Sequence, residues 1–470
     1  MEPTSLAFHE HASRALQDRQ LQQALATIKT GWQAGRARAA ARLPEFEALR
    51  DAGRDIKNHA LAHLDLYLEA FEAKVLAQGG KVHWAEDAAQ ARAIVLDLCR
   101  AAKARTVTKS KSMIAEEIGL NAWLEANGIL PMETDLGEYI IQLAGEAPSH
   151  LVGPAVHKTK DEVSDLFQKH HGGPRVEDPA GLVAEARRIL RRRYLEADVG
   201  ITGANFLIAE TGSAITVTNE GNAELTQGLP RTHIVIASLE KVIPTIEDAF
   251  TLLRLLARSA TGQEFSAYTT FMTGPKRPGD MDGPEDFHIV LLDNGRSRML
   301  GSVFQDMLRC IRCGACMNHC PVYLRTGGHA YGWVYVGPMG SVLTPQFIGI
   351  ERAHPLPNAS TFCGRCEEVC PVRIPLPNLM RHWREEQFRR QLVPPTARWG
   401  LAFWAFLAER PPLYRLATGL AIRVLGLLGR RRGAFRSLPL AGGWTGTRDL
   451  PAPEGRTFMA QWRGRGGERG

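Results

Sequence analysis

Two cysteine runs hold the residues most able to do chemistry. The first, CIRCGACMNHCP, sets Cys310, Cys313, Cys316 and Cys320 at intervals of x2, x2 and x3 and ends in Pro321. The second, STFCGRCEEVCP, sets Cys363, Cys366 and Cys370 before Pro371, with Ser360 where a fourth cysteine would stand. Short loops let three thiolates of one run reach three corners of an iron–sulfur cubane. The fourth cysteine, beyond a helical turn, points to the other cluster. By that crossing rule, cluster 1 takes Cys310, Cys313, Cys316 and Cys370, and cluster 2 takes Cys320, Cys363 and Cys366. The last corner of cluster 2 falls near Ser360. The spacing leaves it to serine oxygen, another side chain, water or no ligand, as in a three-iron centre. The expectation is two [4Fe-4S] clusters, the second with three cysteine ligands or reduced to [3Fe-4S]. Each closing proline blocks helical continuation and removes an amide donor. Zinc also binds CxxC pairs, but the order of these seven cysteines fits iron and sulfide better.

The rest of the composition agrees. Eight cysteines in 470 residues are too sparse for a disulfide scaffold, and seven are clustered. The eighth, Cys99, falls inside a helical pattern, where a small core residue is expected. An apolar fraction of 44% allows two or three cored domains. The opening MEPTSLAFHEHASRALQDR has no apolar leader stretch, which points to the reducing cytosol, where thiolates stay available for iron. From Pro371 onward there are 18 Arg, no Lys and 6 acidic residues, a balance of +12, so the remainder carries −5 of the net +7. A basic tail on an acidic body seeks an acidic protein or an anionic lipid face. No recognition motif accompanies it, so nucleic acid is not expected.

These residues need elements to position them. Residues 1–79 read as helices: HALAHLDLYLEAFEAKVLA (59–77) has helical spacing and stops at Gly79-Gly80. From 80 to 295 strands alternate with helices, the pattern of a layered α/β domain with a mainly parallel sheet. The strand candidates are 81–85, 106–110, 129–135, 150–157, 205–219, 232–238 and 286–294. The helix candidates are 86–104, 112–128 and 180–197. The segment GRSRMLGSVFQDMLRC reads as one helix leading into an iron–sulfur region at 296–385. The segment 386–470 is an Arg-rich extension with helices at 399–408 and 413–429 and a disordered last forty residues. Its helix 413–429 carries Leu416, Leu420, Val424 and Leu427 on one stripe, fit to pack on the body or a partner. Glu409-Arg410-Pro411-Pro412 interrupts the apolar stretch, which rules out a spanning helix.

Outside the cysteines, the α/β region has neither GxGxxG after a strand nor a P-loop. Thr108-Lys109-Ser110-Lys111-Ser112, where a strand meets a helix, could hold a carboxylate or phosphate, or be an ordinary helix cap. Glu210 and Glu220 stand in glycine turns after apolar strands and are candidates for acid–base work. His157, Lys158, His319 and His329 are read as structural. GGHAYGWVYVGPMGSVLTP (327–345) is expected to lie ordered against the clusters. Catalytic residues are not assigned.

Long strings resemble the LutB-type iron–sulfur proteins of bacterial lactate utilisation. They include KSKSMIAEEIGLN, ETDLGEYIIQL, PSHLVGPAVHK, GITGANFLIAETGSAITVTNEGN, LLDNGRS, CIRCGACMNHCPVY, GGHAYGWVY and CGRCEEVCPVRIPL. The resemblance implies a LUD domain of ribose-5-phosphate isomerase-like fold, followed by a ferredoxin-like helical iron–sulfur domain. The seven-cysteine pattern is typical of that family. It also implies one subunit of a three-component system that oxidises L-lactate to pyruvate and supports growth on lactate. The partners would be a CCG-domain iron–sulfur oxidoreductase and a smaller LUD-domain protein. The expected place is the cytoplasm, with the basic C-terminus able to meet the inner membrane face. Competing readings are a self-sufficient oxidoreductase with substrate in the LUD domain, and a cluster-based redox sensor.

The cysteine pattern alone predicts that anaerobically purified protein holds about seven to eight iron atoms. Metal analysis giving stoichiometric zinc without iron would sink the assignment.

Overall fold

THIVIAS and DFHIVLL are apolar on both faces, the pattern of parallel strands covered on each side. The computed structural model, which describes residues 2–439, 441–446 and 448–466, sets them side by side. The chain divides into two compact units between Gln387 and Phe388. In the first unit the strands are β1 (Lys81–Ala85), β2 (Thr106–Lys109), β3 (Leu130–Glu133), β4 (Val199–Gly203), β5 (Phe206–Ile208), β6 (Ser213–Thr218), β7 (Thr232–Ser238), β8 (Val242–Ile243), β9 (Tyr268–Met272) and β10 (Asp286–Leu292). The main sheet runs β1-β10-β7-β4-β2-β3, with every pairing parallel. A smaller sheet, β8-β5-β6-β9, is antiparallel except between β5 and β8.

Strand alternation divides the core. Ile234, Ile236, Val290 and Leu292 face the helices Ala88–Ala101, Met113–Glu117 and Leu120–Ala126, with Cys99 fully buried among them. Val235, Ala237, Phe287, Ile289 and Leu291 face the helix Leu64–Ala77 and the smaller sheet. Asp87 caps the helix Ala88–Ala101 by accepting from the N–H groups of Ala89 and Gln90.

Several expected elements take another form. The 150–157 segment is a chain of turns, not a strand, because Gly153 and Pro154 break it and the His150 ring binds its own loop. The 296–310 segment is two short 3-10 turns, Ser297–Met299 and Gln305–Arg309, rather than one helix. The 112–128 helix is broken at Gly119 (φ +64°), and the 59–77 helix at His63, where Phe46–Ala62 gives way to Leu64–Ala77. The central strand β4 (VGITG) escapes pattern reading because two glycines make it resemble a loop. Gly200 is required by packing: a Cβ there would lie 1.8 Å from the Thr226 carbonyl oxygen of the helix Asn222–Gly228.

The N-terminal helices clamp the cysteine region. Arg36 donates to the Val369 carbonyl at 3.0 Å, and Arg50 to the carbonyls of Glu368 and Cys370 at 2.5 and 2.8 Å. These carbonyls end the helix Arg365–Glu368 and have no partner within it, so the guanidiniums satisfy them.

The second unit holds the helices Pro395–Ala408 and Pro411–Gly429, a two-residue antiparallel pairing of Ala434–Phe435 with Leu450–Pro451, and the helices Gly442–Thr445 and Phe458–Gly466. The last forty residues, expected to be disordered, thus contain short elements; residues 440, 447 and 467–470 lie outside the described residues. Leu416, Leu420, Val424 and Leu427 are exposed. Among the described residues no helix is long and apolar enough to cross a membrane.

Gly200→Ala should lower the unfolding free energy by about 3 kcal/mol, at the upper end of ordinary overpacking costs. Urea unfolding followed by circular dichroism checks this. Gly228→Ala, where a Cβ meets nothing within 4 Å, is the control expected to stay near wild type.

Candidate metal centre

The two cysteine runs fold the same way. Arg312 (φ +61°) precedes Cys313, Gly314 (φ +74°) follows, and the short helix Ala315–Asn318 carries Cys316 towards Cys320-Pro321. Phe362 (φ +54°) precedes Cys363, Gly364 (φ +78°) follows, and Arg365–Glu368 carries Cys366 towards Cys370-Pro371. A positive φ at a non-glycine residue is uncommon and strained. Its recurrence at one register makes Ser360 the structural counterpart of Cys310. Ser360 Oγ accepts from the Phe362 N–H at 3.1 Å.

The thiols gather in two neighbouring groups. Burial pushes the Cys313 thiol up, and Cys370 and Cys310 push it further. Cys316 is raised by burial and then by Cys310, Cys313, Cys366 and Cys370. Burial, with Cys320 and Cys363 adding, pushes Cys366 up to about 12, and Cys320 is raised by burial with Cys363 beside it. Cys310, Cys313, Cys316 and Cys370 line one small cavity with apolar walls from Met307, Ile311 and Val372. Cys363 is exposed while Cys320 and Cys366 are buried. Backbone N–H groups point at sulfur: Ile374 donates to Cys370 Sγ at 3.3 Å, and Cys313 receives from Ala315.

These residues fit an iron–sulfur group. Crowded, buried thiols repel one another as thiolates, and iron removes that repulsion by holding them deprotonated. Tyr331 is fully buried and its hydroxyl has no hydrogen-bond partner. Burial, followed by the thiols of Cys320, Cys316 and Cys366, pushes its pKa well up. An orphaned O–H among thiols calls for an acceptor there.

Buried polar side chains fix the first run against the sheet. Glu117 accepts from Arg296 at 2.6 and 2.9 Å, from Asn294 at 2.7 Å and from the Tyr335 hydroxyl at 2.5 Å. Arg296 also pairs with Glu240 at 3.0 Å, and Arg312 pairs with Glu240 at 3.4 Å while lying over the Tyr335 ring. Burial alone would raise Glu240, but Arg296 and Arg312 outweigh it and hold the carboxyl at about 2. His150 is held down at about 4 chiefly by burial. Its Nδ1 accepts from the N–H groups of Val152 and Gly153, so Nε2 carries the proton and donates to Asn318 Oδ1 at 2.9 Å. Asn318 in turn donates to the Ala260 carbonyl.

Beside the first cysteine group lies a cavity of about 520 Å³. Ser110, Lys111, Ser112 and Glu220 line it, together with Lys241, Arg312 and Cys313. Lys109, proposed for the same anion site, is fully buried in ion pairs with Glu116 and Glu133. Glu210 is exposed and accepts from the Ile246 N–H. His157 joins Ser149 and Glu146, and Lys158 pairs with the same Glu146, so these two are held in an ion-pair cluster with His329 alongside. His319 binds the Ala315 carbonyl and His329 the Ala147 carbonyl. Sequence reasoning missed Glu117, Glu240 and Arg296, whose partners are remote in sequence. A buried-charge pattern was the only signal, and a helix end, a loop and a turn scatter it.

Residues 68–292 match the LUD domain and residues 306–374 the 4Fe-4S dicluster domain. That defines an iron–sulfur protein built on a LUD α/β domain. Residues 393–467 match "Lactate utilisation protein B, C-terminal". Lactate utilization protein B of Lysinibacillus sphaericus (strain C3-41) is 41% identical over 460 residues, covering 97% of each chain. The protein of the same name from Geobacillus kaustophilus (strain HTA426) is 44% identical over 430 residues, covering 90% of each. The chain belongs to the lactate utilization protein B family. A solved DUF162 family protein from Deinococcus radiodurans aligns with 49% of this chain and 98% of its own at 14% identity, with a TM-score of 0.29.

Two substitutions, Cys316→Ser and Cys320→Ser, separate the two thiol groups, and Ser360→Ala and Tyr331→Phe probe their surroundings. Cys316→Ser and Cys320→Ser should disturb different EPR signals, and Ser360→Ala should leave both unaltered, because its Oγ is engaged by a local amide. Tyr331→Phe should lower a midpoint potential by about 40 mV, the equivalent of one net hydrogen bond of about 1 kcal/mol. Damage to one and the same signal by both cysteine variants would refute the two-group arrangement.

Proposed function

We propose that this chain is the iron–sulfur electron-transfer subunit of a multi-component system that oxidises L-lactate to pyruvate. The observation that carries this reading is the asymmetry of the two thiol groups. The first reaches a cavity of the α/β domain through Cys313, and the second reaches the surface at Cys363. Cys310, Cys313, Cys316 and Cys370 are assigned to the first cluster, and Cys320, Cys363 and Cys366 to the second, two [4Fe-4S] groups with the second corner at Ser360 not held by thiolate. Such clusters pass one electron at a time, and oxidation of lactate to pyruvate releases two electrons and two protons, so two centres suit the stoichiometry. The names of the relatives support the pathway.

The chain's own residues set the conditions. Arg36 and Arg50 fix the second run from behind, and Arg312 and Tyr335 fix the first. Met307, Ile311 and Val372 surround the first group with apolar walls. A CCG-domain iron–sulfur oxidoreductase and a smaller LUD-domain protein are the proposed partners, met in the cytoplasm or at the inner membrane face. The exposed apolar stripe and arginines of the second unit are the proposed docking element. The cavity against Cys313 favours one second reading, a self-sufficient oxidoreductase with substrate held in the α/β domain.

The isolated chain should accept electrons from a strong donor yet fail to oxidise lactate. With both partners, lactate should reduce its clusters and pyruvate should appear. Replacing Cys313 or Cys366 should abolish that turnover. Robust lactate oxidation by the chain alone would establish the second reading, and turnover unaffected by loss of both clusters would end the electron-transfer role. Deleting residues 395–470 should spare the clusters and weaken partner association. Added salt should mimic the deletion, since exposed charges are screened over about 8 Å at physiological ionic strength.

A further inference from the structure

The cavity beside the first cysteine group stands where a parallel sheet binds ligands. Ser110 follows the carboxyl end of β2, Asp135 follows β3, Asn205 follows β4, and Ser238 ends β7; all four line it. From β2 the chain passes outward to β3, whereas from β4 it proceeds the other way through β7 to β10. The switch therefore falls between neighbouring β2 and β4, the position where open parallel sheets form a ligand crevice. Arg312, Cys313 and Tyr335 of the iron–sulfur region supply part of the wall.

The polar groups in this wall are unequal. Lys111 is paired with Asp135, and Arg312 with Glu240. Lys241 is buried, and among the described residues no carboxylate stands within ion-pair distance of its amine. Asn222 and Thr216 are also buried and line the cavity, and Asn222 Oδ1 and Thr216 Oγ1 have no hydrogen-bond partner. Buried polar atoms without partners cost free energy unless something fills the space and bonds to them. The acidic Glu220 is exposed. Trp32, Ile140 and Leu256 make other parts of the wall apolar. One buried amine without an ion-pair partner, two unsatisfied polar side chains and apolar surroundings match a small organic monoanion. A polyphosphate would need more positive charge, and a metal cation would be repelled by Lys241.

We propose that this cavity binds a 2-hydroxy or 2-oxo monocarboxylate. Lys241 takes the carboxylate, and Asn222 and Thr216 take the adjacent hydroxyl or keto oxygen. The proposal rests on the lactate-oxidation reading for its choice among organic acids. The cavity exceeds the size of a three-carbon acid, so acids with an aromatic side chain are accommodated as well.

Calorimetric titration of the anaerobically purified, iron-loaded chain tests this at constant ionic strength, with L-lactate, pyruvate, 3-phenyllactate and inorganic phosphate as probes. The three organic acids should bind and phosphate should not. Lys241→Met should weaken pyruvate binding about tenfold or more, the loss expected for a charge-assisted hydrogen bond. Asn222→Ser should weaken it less. Both variants should retain full iron and both EPR signals, which separates a lost contact from a lost fold. Absence of binding by iron-loaded wild type, equal binding of phosphate, or unchanged affinity in both variants would overturn the site. If no acid binds while lactate still reduces the clusters in the reconstituted system, the site falls and the electron-transfer reading stands. If acids bind as described but lactate never reduces the clusters, the site stands and that reading falls.

Discussion

The structure depends on a buried chain of charges at the carboxyl edge of the main sheet: Glu117, Arg296, Glu240 and Arg312. Removing an ion from water costs several kcal/mol, and attraction between buried partners offsets this only when the geometry is good and spare donors are satisfied. At Glu117 the geometry is close to saturated, whereas Arg296 Nε and Glu240 Oε2 lie 3.0 Å apart without a hydrogen bond. Glu117 receives Arg296 through two nitrogens, the Asn294 amide and the Tyr335 hydroxyl. Lys57 donates to the Glu240 carbonyl. The participants come from a helix end, the loop after β10, the turn after β7, the first cysteine run and the aromatic segment. None of those pieces can shift without exposing an unpaired charge to apolar surroundings. The network thereby sets where Cys313 stands relative to the sheet.

Arg312, Lys57 and further buried cations also act on the cysteines electrically. The field of the Cys310 thiol reaches Lys57, Lys241 and Arg312, that of Cys313 reaches Arg36, and that of Cys370 reaches Arg309. A cluster held by four thiolates is anionic in either oxidation state, so buried cations nearby favour the electron-rich form. Hydrogen bonds, net charge and exposure set cluster potential, and the two groups differ in the last two. The first is surrounded by buried guanidiniums and amines. At the second, backbone amides point at Cys320 and Cys366 while Cys363 lies open to water. Arg312 and Lys57 thus belong both to the charge network and to the field around the first thiol group.

Sequence carried the local features of this design well. The cysteine order, the proline that closes each run, the buried role of Cys99 and the strands THIVIAS and DFHIVLL all follow from spacing or alternation over fewer than a dozen residues. What escaped was non-local. β4 contains Gly200 because a distant helix carbonyl needs the space, and no strand propensity announces that. LVGPAVH is apolar, yet the His150 ring captures its backbone amides and Asn318 and turns the segment into a seat for the iron–sulfur region. The lysines of Thr108-Lys109-Ser110-Lys111-Ser112 look alike in sequence; burial of Lys109 between Glu116 and Glu133 leaves the following residues to face the cavity. The importance of Lys241 was likewise invisible, since it depends on which neighbouring charges are already paired.

Ser360 shows how a repeated motif can lose a thiol without losing its shape. In the first run Cys310 begins the turn that reaches Arg312 and Cys313. In the second, Ser360 begins the equivalent turn and braces it with a hydrogen bond from the Phe362 amide. Arg384 donates to the Ser360 carbonyl at 3.3 Å and to the Pro357 carbonyl at 3.0 Å, and its guanidinium lies 4.0 Å from the centre of the Phe362 ring. The strained conformation of Phe362 is thus held by a cation–π contact and by protein hydrogen bonds. These contacts maintain the loop that presents Cys363 without requiring a metal–ligand bond at position 360. The loop so held carries Cys363, the most exposed of the seven clustered cysteines.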